Sequence, residues 1–123
     1  MWIAERGRGR GDPEGSALVG RVTLAGDPAG VYLDGERRGL PVYGPGGYLW
    51  RPARGQEVLV LKTGRAGEQP CVAGARGQPG WNLNPGEVYL YSGGASIHLR
   101  SDGVISMQGL VLVNGLPVAV EEG

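Results

Sequence analysis

Residues 88–120 contain Val88-Tyr89-Leu90-Tyr91, Ser96-Ile97-His98-Leu99-Arg100, Val104-Ile105-Ser106-Met107, Leu110-Val111-Leu112-Val113 and Val118-Ala119-Val120, with Gly94, Gly103, Gly109 and Gly115 between them. The glycines fall 9, 6 and 6 residues apart. A loose short repeat of this kind points to stacked β turns rather than a globular core. Thirty-seven residues of Gly-broken strand, 87–123, are too few to bury a core of their own. Chains that small ordinarily need a disulfide, a metal or a partner. With one cysteine and one histidine in the chain, neither a disulfide nor a metal set is at hand, and oligomerisation remains. Three copies winding around one axis would cover each other's strands. The apolar side chains expected to meet across that axis are Val88, Leu90, Ile97, Leu99, Ile105, Met107, Leu112 and Val120.

Upstream the texture is that of a small barrel. Leu18–Leu24 reads as a first strand ended by the turn Gly26-Asp27-Pro28, and Asp34-Gly35 between Val31-Tyr32-Leu33 and Leu40-Pro41-Val42-Tyr43 is a hairpin signal if the register allows a two-residue loop. Gly44-Pro45-Gly46-Gly47 reads as a loop, from which Tyr48-Leu49-Trp50 leads to Arg51-Pro52-Ala53-Arg54-Gly55. Glu57-Val58-Leu59-Val60-Leu61-Lys62 is the most apolar one, expected to be covered on both sides, and Pro70–Gly74 is the last. Five or six short strands in this span suit a closed barrel, which leaves no open sheet edge. The expected organisation is a flexible arm over 1–16, a barrel over 17–80 and a stem over 81–123.

Composition agrees with an all-β class. Gly and Pro together make 34 of 123 residues, so few windows are long enough for a helix. Val, Leu and Ile make 29, enough to fold rather than stay disordered. Charge is balanced at 12 basic against 12 acidic residues, +2 over residues 1–62 and −2 over 63–123. That balance lacks the basic footprint of a dedicated nucleic-acid binder. The N-terminal sequence has no apolar h-region and no stretch approaches a membrane span, so neither a signal peptide nor a transmembrane segment is expected.

Chemistry is sparse. No Ser/His/Asp set is nominated by spacing, Cys71 sits in the apolar context Pro-Cys-Val-Ala, and the expectation is that the protein is not an enzyme and needs no cofactor. Three copies of His98 near one axis would make a metal or anion site. One donor per chain favours an ordinary interstrand imidazole instead, so no metal is expected. Gly44-Pro45-Gly46-Gly47 lacks the Lys-Ser/Thr end of a phosphate loop, and Arg10-Gly11-Asp12 is read as chance in an Arg/Gly-rich tail.

Val19-Gly20-Arg21-Val22, Leu40–Gly44 and Arg51–Val60 resemble the barrel of the bacteriophage baseplate assembly protein V family. Leu83-Asn84-Pro85-Gly86-Glu87-Val88-Tyr89-Leu90-Tyr91 with Ile97–Met107 is similar to the start of the stem in Mu-type tail spike proteins. The resemblance spans roughly residues 17–115. It implies an OB-fold-like collar followed by an intertwined trimeric β-helix or β-prism stem. It implies further a homotrimer docked on the baseplate hub of a contractile tail or a prophage-derived injection device, assembled in the host cytoplasm and carried in the virion. The stem would pierce the host envelope, with room for a small tip-capping protein at its C-terminal end. Tyr43, Tyr48, Trp50 and Arg51 are then the residues expected to dock on the hub. Two features of relatives are missing: a lysozyme domain between barrel and stem, and a pair of tip histidines that bind iron.

The alternative from another class is a single-stranded nucleic-acid module. OB-folds bind such strands by aromatic stacking and basic grooves, for which Tyr32, Tyr43, Tyr48, Trp50, Arg37, Arg38, Arg51 and Arg54 are available. The neutral charge, the single lysine and the acidic stem weigh against stable nucleic-acid binding.

Overall fold

The computed structural model describes residues 17–64, 69–77 and 82–121. The expected N-terminal arm, residues 1–16, lies outside the described residues. All described elements are strands, in two units covering residues 1–77 and 78–123.

The first unit holds β1 (Ala17–Leu24), β2 (Ala29–Tyr32), β3 (Glu36–Leu40), β4 (Glu57–Thr63) and β5 (Gln69–Ala75). They form one sheet in the order β3-β2-β1-β4-β5, every neighbouring pair antiparallel. The run β4-β1-β2-β3 is the spatial order of a Greek key. The sheet then closes on itself. Just past β3, Val42 makes a parallel bridge to Val72 of β5, with Tyr43 N donating to Val72 O at 2.8 Å and Val72 N to Pro41 O at 2.9 Å.

Strand alternation turns one residue in two into the closed interior. Val22, Ala29, Val31, Leu40, Val58, Val60 and Val72 form the buried cluster, with Leu33, Val42 and Trp50 packed at its margin. Short β-branched side chains dominate because the interior is narrow. The narrowness is plainest at Gly20, where an added Cβ would lie 2.5 Å from both Val31 Cγ1 and Leu33 Cδ2, and 2.9 Å from Tyr32 O.

Two local expectations are corrected. The β2–β3 connection is three residues, Leu33-Asp34-Gly35, since Tyr32 stands opposite Glu36, and β3 runs through Arg37 and Arg38 rather than starting at Leu40. Glu36 fixes that register by accepting from Thr23 Oγ1 at 2.7 Å and Arg38 Nε at 3.2 Å. Tyr48-Leu49-Trp50 belongs to a long loop that folds back, with Trp50 Nε1 donating to Tyr43 O at 2.9 Å. Leu59 and Leu61 are not covered on both sides: a closed sheet has a single interior, so they stand on the outside while Val58 and Val60 fill it.

The second unit opens with the turn Asn84-Pro85-Gly86-Glu87, closed by Glu87 N to Asn84 O at 3.1 Å. Pro at its second position and Gly86 at φ 87° give it type II character. Strands β6 (Val88–Ser92), β7 (Ala95–Leu99) and β8 (Ile105–Gln108) form an antiparallel meander. A hairpin of β9 (Leu112–Val113) and β10 (Leu116–Pro117) follows. Its two-residue turn, Asn114-Gly115, has φ of 52° and 80°, the paired left-handed conformation that matches strand twist. Val118 N donates to Val111 O at 2.9 Å, which lengthens the ladder by one rung. The return strand therefore centres on Leu116–Pro117 rather than on Val118–Val120 as expected.

Candidate functional site: a two-faced meander

No residue of the described part of the second unit, 82–121, is fully buried. Its apolar side chains instead share a face. In the meander Val88 stands opposite Leu99 and Leu90 opposite Ile97; Ile97 in turn stands opposite Met107, and Leu99 opposite Ile105. Directly opposed residues in an antiparallel sheet project to the same side. Six of the eight side chains expected at an axis, Val88, Leu90, Ile97, Leu99, Ile105 and Met107, therefore form one continuous apolar patch, two per strand. Ile105 is 63% exposed and Met107 53%, so within one chain the patch has little cover. The other two expected residues lie elsewhere. Leu112 is on β9 and Val120 beyond β10, both exposed.

The opposite face carries Tyr89 opposite His98, Tyr91 opposite Ser96, and Ser106 and Gln108 on β8. The Tyr89 and Tyr91 rings stack at 5.6 Å, and the His98 ring meets Tyr89 edge-on at 5.5 Å. At its end sits Glu87, whose side chain is only 4% exposed. Glu87 Oε2 accepts from Ser101 N at 2.7 Å; Oε1 lies 3.0 Å from His98 Nε2 and accepts from Asn84 N at 3.1 Å. Those three bonds tie the entry turn, β7 and the β7–β8 turn to one carboxylate. The Ser101 amide first, then His98 and the Asn84 amide, hold its pKa down to about 2 from the usual 4.5. The β7–β8 turn is further closed by Arg100 N to Val104 O at 2.9 Å and by the Asp102 carboxylate on Val104 N at 3.1 Å.

Glu87 was not singled out by sequence reasoning. Its signal is the Asn-Pro-Gly-Glu turn, whose last residue is placed to reach back to the Asn84 amide. His98 is accounted for by this carboxylate and by Tyr89. Among the described residues no three His, Cys, Asp or Glu side chains cluster as metal ligands would. Cys71, 4% exposed, stands opposite Leu61, on the side of β5 away from Val72 and the buried cluster.

On the first unit Tyr43 and Tyr48 are exposed, with Leu49 between Tyr48 and Trp50 more exposed still. Trp50 is half-buried and acts as the strut of this loop, its indole 3.1 Å from the position a Cβ on Gly44 would take. Arg51 donates to Trp50 O at 3.2 Å and lies 3.9 Å from Asp27. Three other arginines of this unit face carboxylates likewise: Arg37 with Asp34 at 3.5 Å, Arg38 with Glu36 at 3.2 Å, Arg76 with Glu57 at 3.9 Å. Exposed pairs of this sort add little stability. They do offset part of the positive charge that a phosphate backbone would meet.

Among the described residues no helix is long and apolar enough to cross a membrane. Compared with models of known protein families and with curated protein sequences, the chain matches none.

Proposed function

We propose that the protein is a structural spike component of a contractile phage tail or a related injection device. Its first unit would be the collar and its second the stem of a homotrimer. One observation carries the reading: a β meander with a six-residue apolar face, in a unit whose described apolar residues include none that is buried. A solvated single sheet gains nothing from such a face. Three copies that turn it inward each bury Val88, Leu90, Ile97, Leu99, Ile105 and Met107, at roughly 1.5–3 kcal/mol per fully buried side chain. The polar face, locked by Glu87, is then left to water.

The Greek-key order and the parallel closure of the first unit support the OB-fold-like collar. Its exposed Tyr43, Tyr48 and Leu49, braced by Trp50 and Arg51, are the surface we assign to the baseplate hub, since Tyr, Trp and Arg are enriched at interfaces. The function is mechanical. Apolar faces packed around one axis cannot separate locally without exposing surface in all three chains, which suits a part pushed through an envelope. No catalytic residue is assigned.

The test is a molar mass. Light scattering behind a sizing column should give three times 12.8 kDa, unchanged on dilution. A monomer would overturn the spike reading and favour the nucleic-acid alternative.

A further inference from the structure

The β9–β10 hairpin differs from the meander in one respect: it is apolar on both faces. Leu112 stands opposite Pro117 on one side, and Val113 opposite Leu116 on the other. Val111 and Val118, joined by their backbone bond, extend the Val113/Leu116 side. Leu112 is 53% exposed and Leu116 70%. From Gly103 to Val120 there are eighteen residues without a charged side chain or a histidine, whereas about a quarter of an ordinary domain's residues are charged. A strand pair with one face on an axis and the other in water should alternate apolar and polar residues. This one does not, so a single axial contact leaves one side uncovered.

Two occupants suit a two-sided apolar hairpin. Lipid is the poorer one, because both outer edges of the hairpin carry backbone N–H and C=O groups that hydrocarbon cannot satisfy. Protein covers the two faces and leaves the edges to water. The two faces are also different surfaces, Leu112/Pro117 and Val113/Leu116, which is what a head-to-tail contact uses. One face of a copy packs on the other face of the next, and with a suitable rotation the series closes into a ring.

Resting on the trimer proposed above, we infer that the three hairpins pack as blades around the axis, the Leu112 face of each chain against the Leu116 face of its neighbour. Each hairpin is thereby covered on both sides without a second kind of partner. The Asn114-Gly115 turns gather at one end, and the blade edges keep their backbone N–H and C=O groups in contact with water.

Cysteine cross-linking in the full-length protein separates this arrangement from an axial one. Leu112→Cys and Leu116→Cys are made singly and together, with the wild type, whose only thiol is buried Cys71, as the control. The mass of each variant is measured before mild oxidation. Blade packing gives no cross-link in either single variant and covalent trimers in the double variant on denaturing gels. It also slows maleimide labelling of both single variants, by an order of magnitude or more, relative to the urea-unfolded chains. Cross-linked dimers from Leu112→Cys alone would show that face meeting itself across the axis and overturn the inference. So would a trimer in which Leu116→Cys labels at the unfolded rate, whether that face meets water or another molecule. In that case protection of Ile105→Cys would leave the trimer reading standing. A monomeric mass for every variant would overturn both.

Discussion

Glu87 and His98 meet at 3.0 Å on the side of the meander away from Leu90 and Ile97. Polar locking and apolar exposure thus belong to opposite faces of one sheet. A single carboxylate gathers the amides of Asn84 and Ser101 with the His98 ring, and so fixes the strand register that keeps the six apolar residues together. A one-residue slip would scatter them over both faces.

The clamp has a pH signature. Because the carboxyl is held at about 2 in the folded chain against 4.5 when free, its contribution to stability is complete above about 4.5. It is lost as pH falls through 4.5 towards 2, where the folded carboxylate itself takes up a proton. Melting temperatures of wild type and Glu87→Gln should therefore differ by a constant amount above pH 5 and converge between 4.5 and 2. A difference that does not change with pH would mean that Glu87 acts through shape alone.

Gly20→Ala should destabilise the first unit by about 1–3 kcal/mol, the usual penalty for overpacking a closed interior. The new methyl would meet Val31, Leu33 and the Tyr32 carbonyl together, and Val31 cannot retreat from the buried cluster. Denaturant unfolding measures it. Gly46, where an added Cβ would meet nothing within 4 Å, is the control, and Gly46→Ala should be near neutral.

Binding to single-stranded oligonucleotides should be weak, with a Kd on the order of 10⁻⁴ M or worse at physiological salt. Arg37, Arg38 and Arg51 already face Asp34, Glu36 and Asp27, so few counterions would be released. Fluorescence anisotropy with a labelled oligonucleotide decides it. Submicromolar binding reduced by Trp50→Ala or Arg51→Ala would favour the alternative function.

The parts of the molecule legible in sequence were those written in alternation. The unbroken apolar run Val58-Leu59-Val60-Leu61 hid which of its sides is outside, whereas Val88-Tyr89-Leu90 against Ile97-His98-Leu99 carry their faces in period two. The apolar face of the meander could be named residue by residue for that reason. What was not legible depended on pairing over distance. The start of β3 at Glu36 is set by Thr23 and Arg38, and the Tyr48–Trp50 loop by an indole reaching Tyr43 O. Glu87 was overlooked because two of its partners are backbone amides, which no residue type announces. Leu112 and Val120 were grouped with the meander by hydrophobicity alone. The hairpin register instead separates Leu112 from Val113 and Leu116, and shows a second apolar side that a count of apolar residues does not reveal.

The proposed trimer should depend on the centre of the apolar face and not on the sheet as such. Ile97 is that centre, opposed by Leu90 on one side and Met107 on the other. Ile97→Asn removes one buried side chain per chain, about 1.5–3 kcal/mol, and adds an amide left without partners at about 1–3 kcal/mol. Threefold symmetry repeats both losses. The meander of each single chain stays intact, since its ladder and the Glu87 clamp lie outside the substitution. Ile97→Asn should therefore shift the molar mass from trimer towards monomer while β-type circular dichroism persists. Ser106→Asn, on the polar face opposite His98, should leave the mass unchanged. If Ile97→Asn remains a tight trimer, the interface lies elsewhere. Removal of residues 87–123 then locates it: a mass that stays trimeric places it in the first unit, whose seven-residue buried cluster should keep that unit folded without the stem.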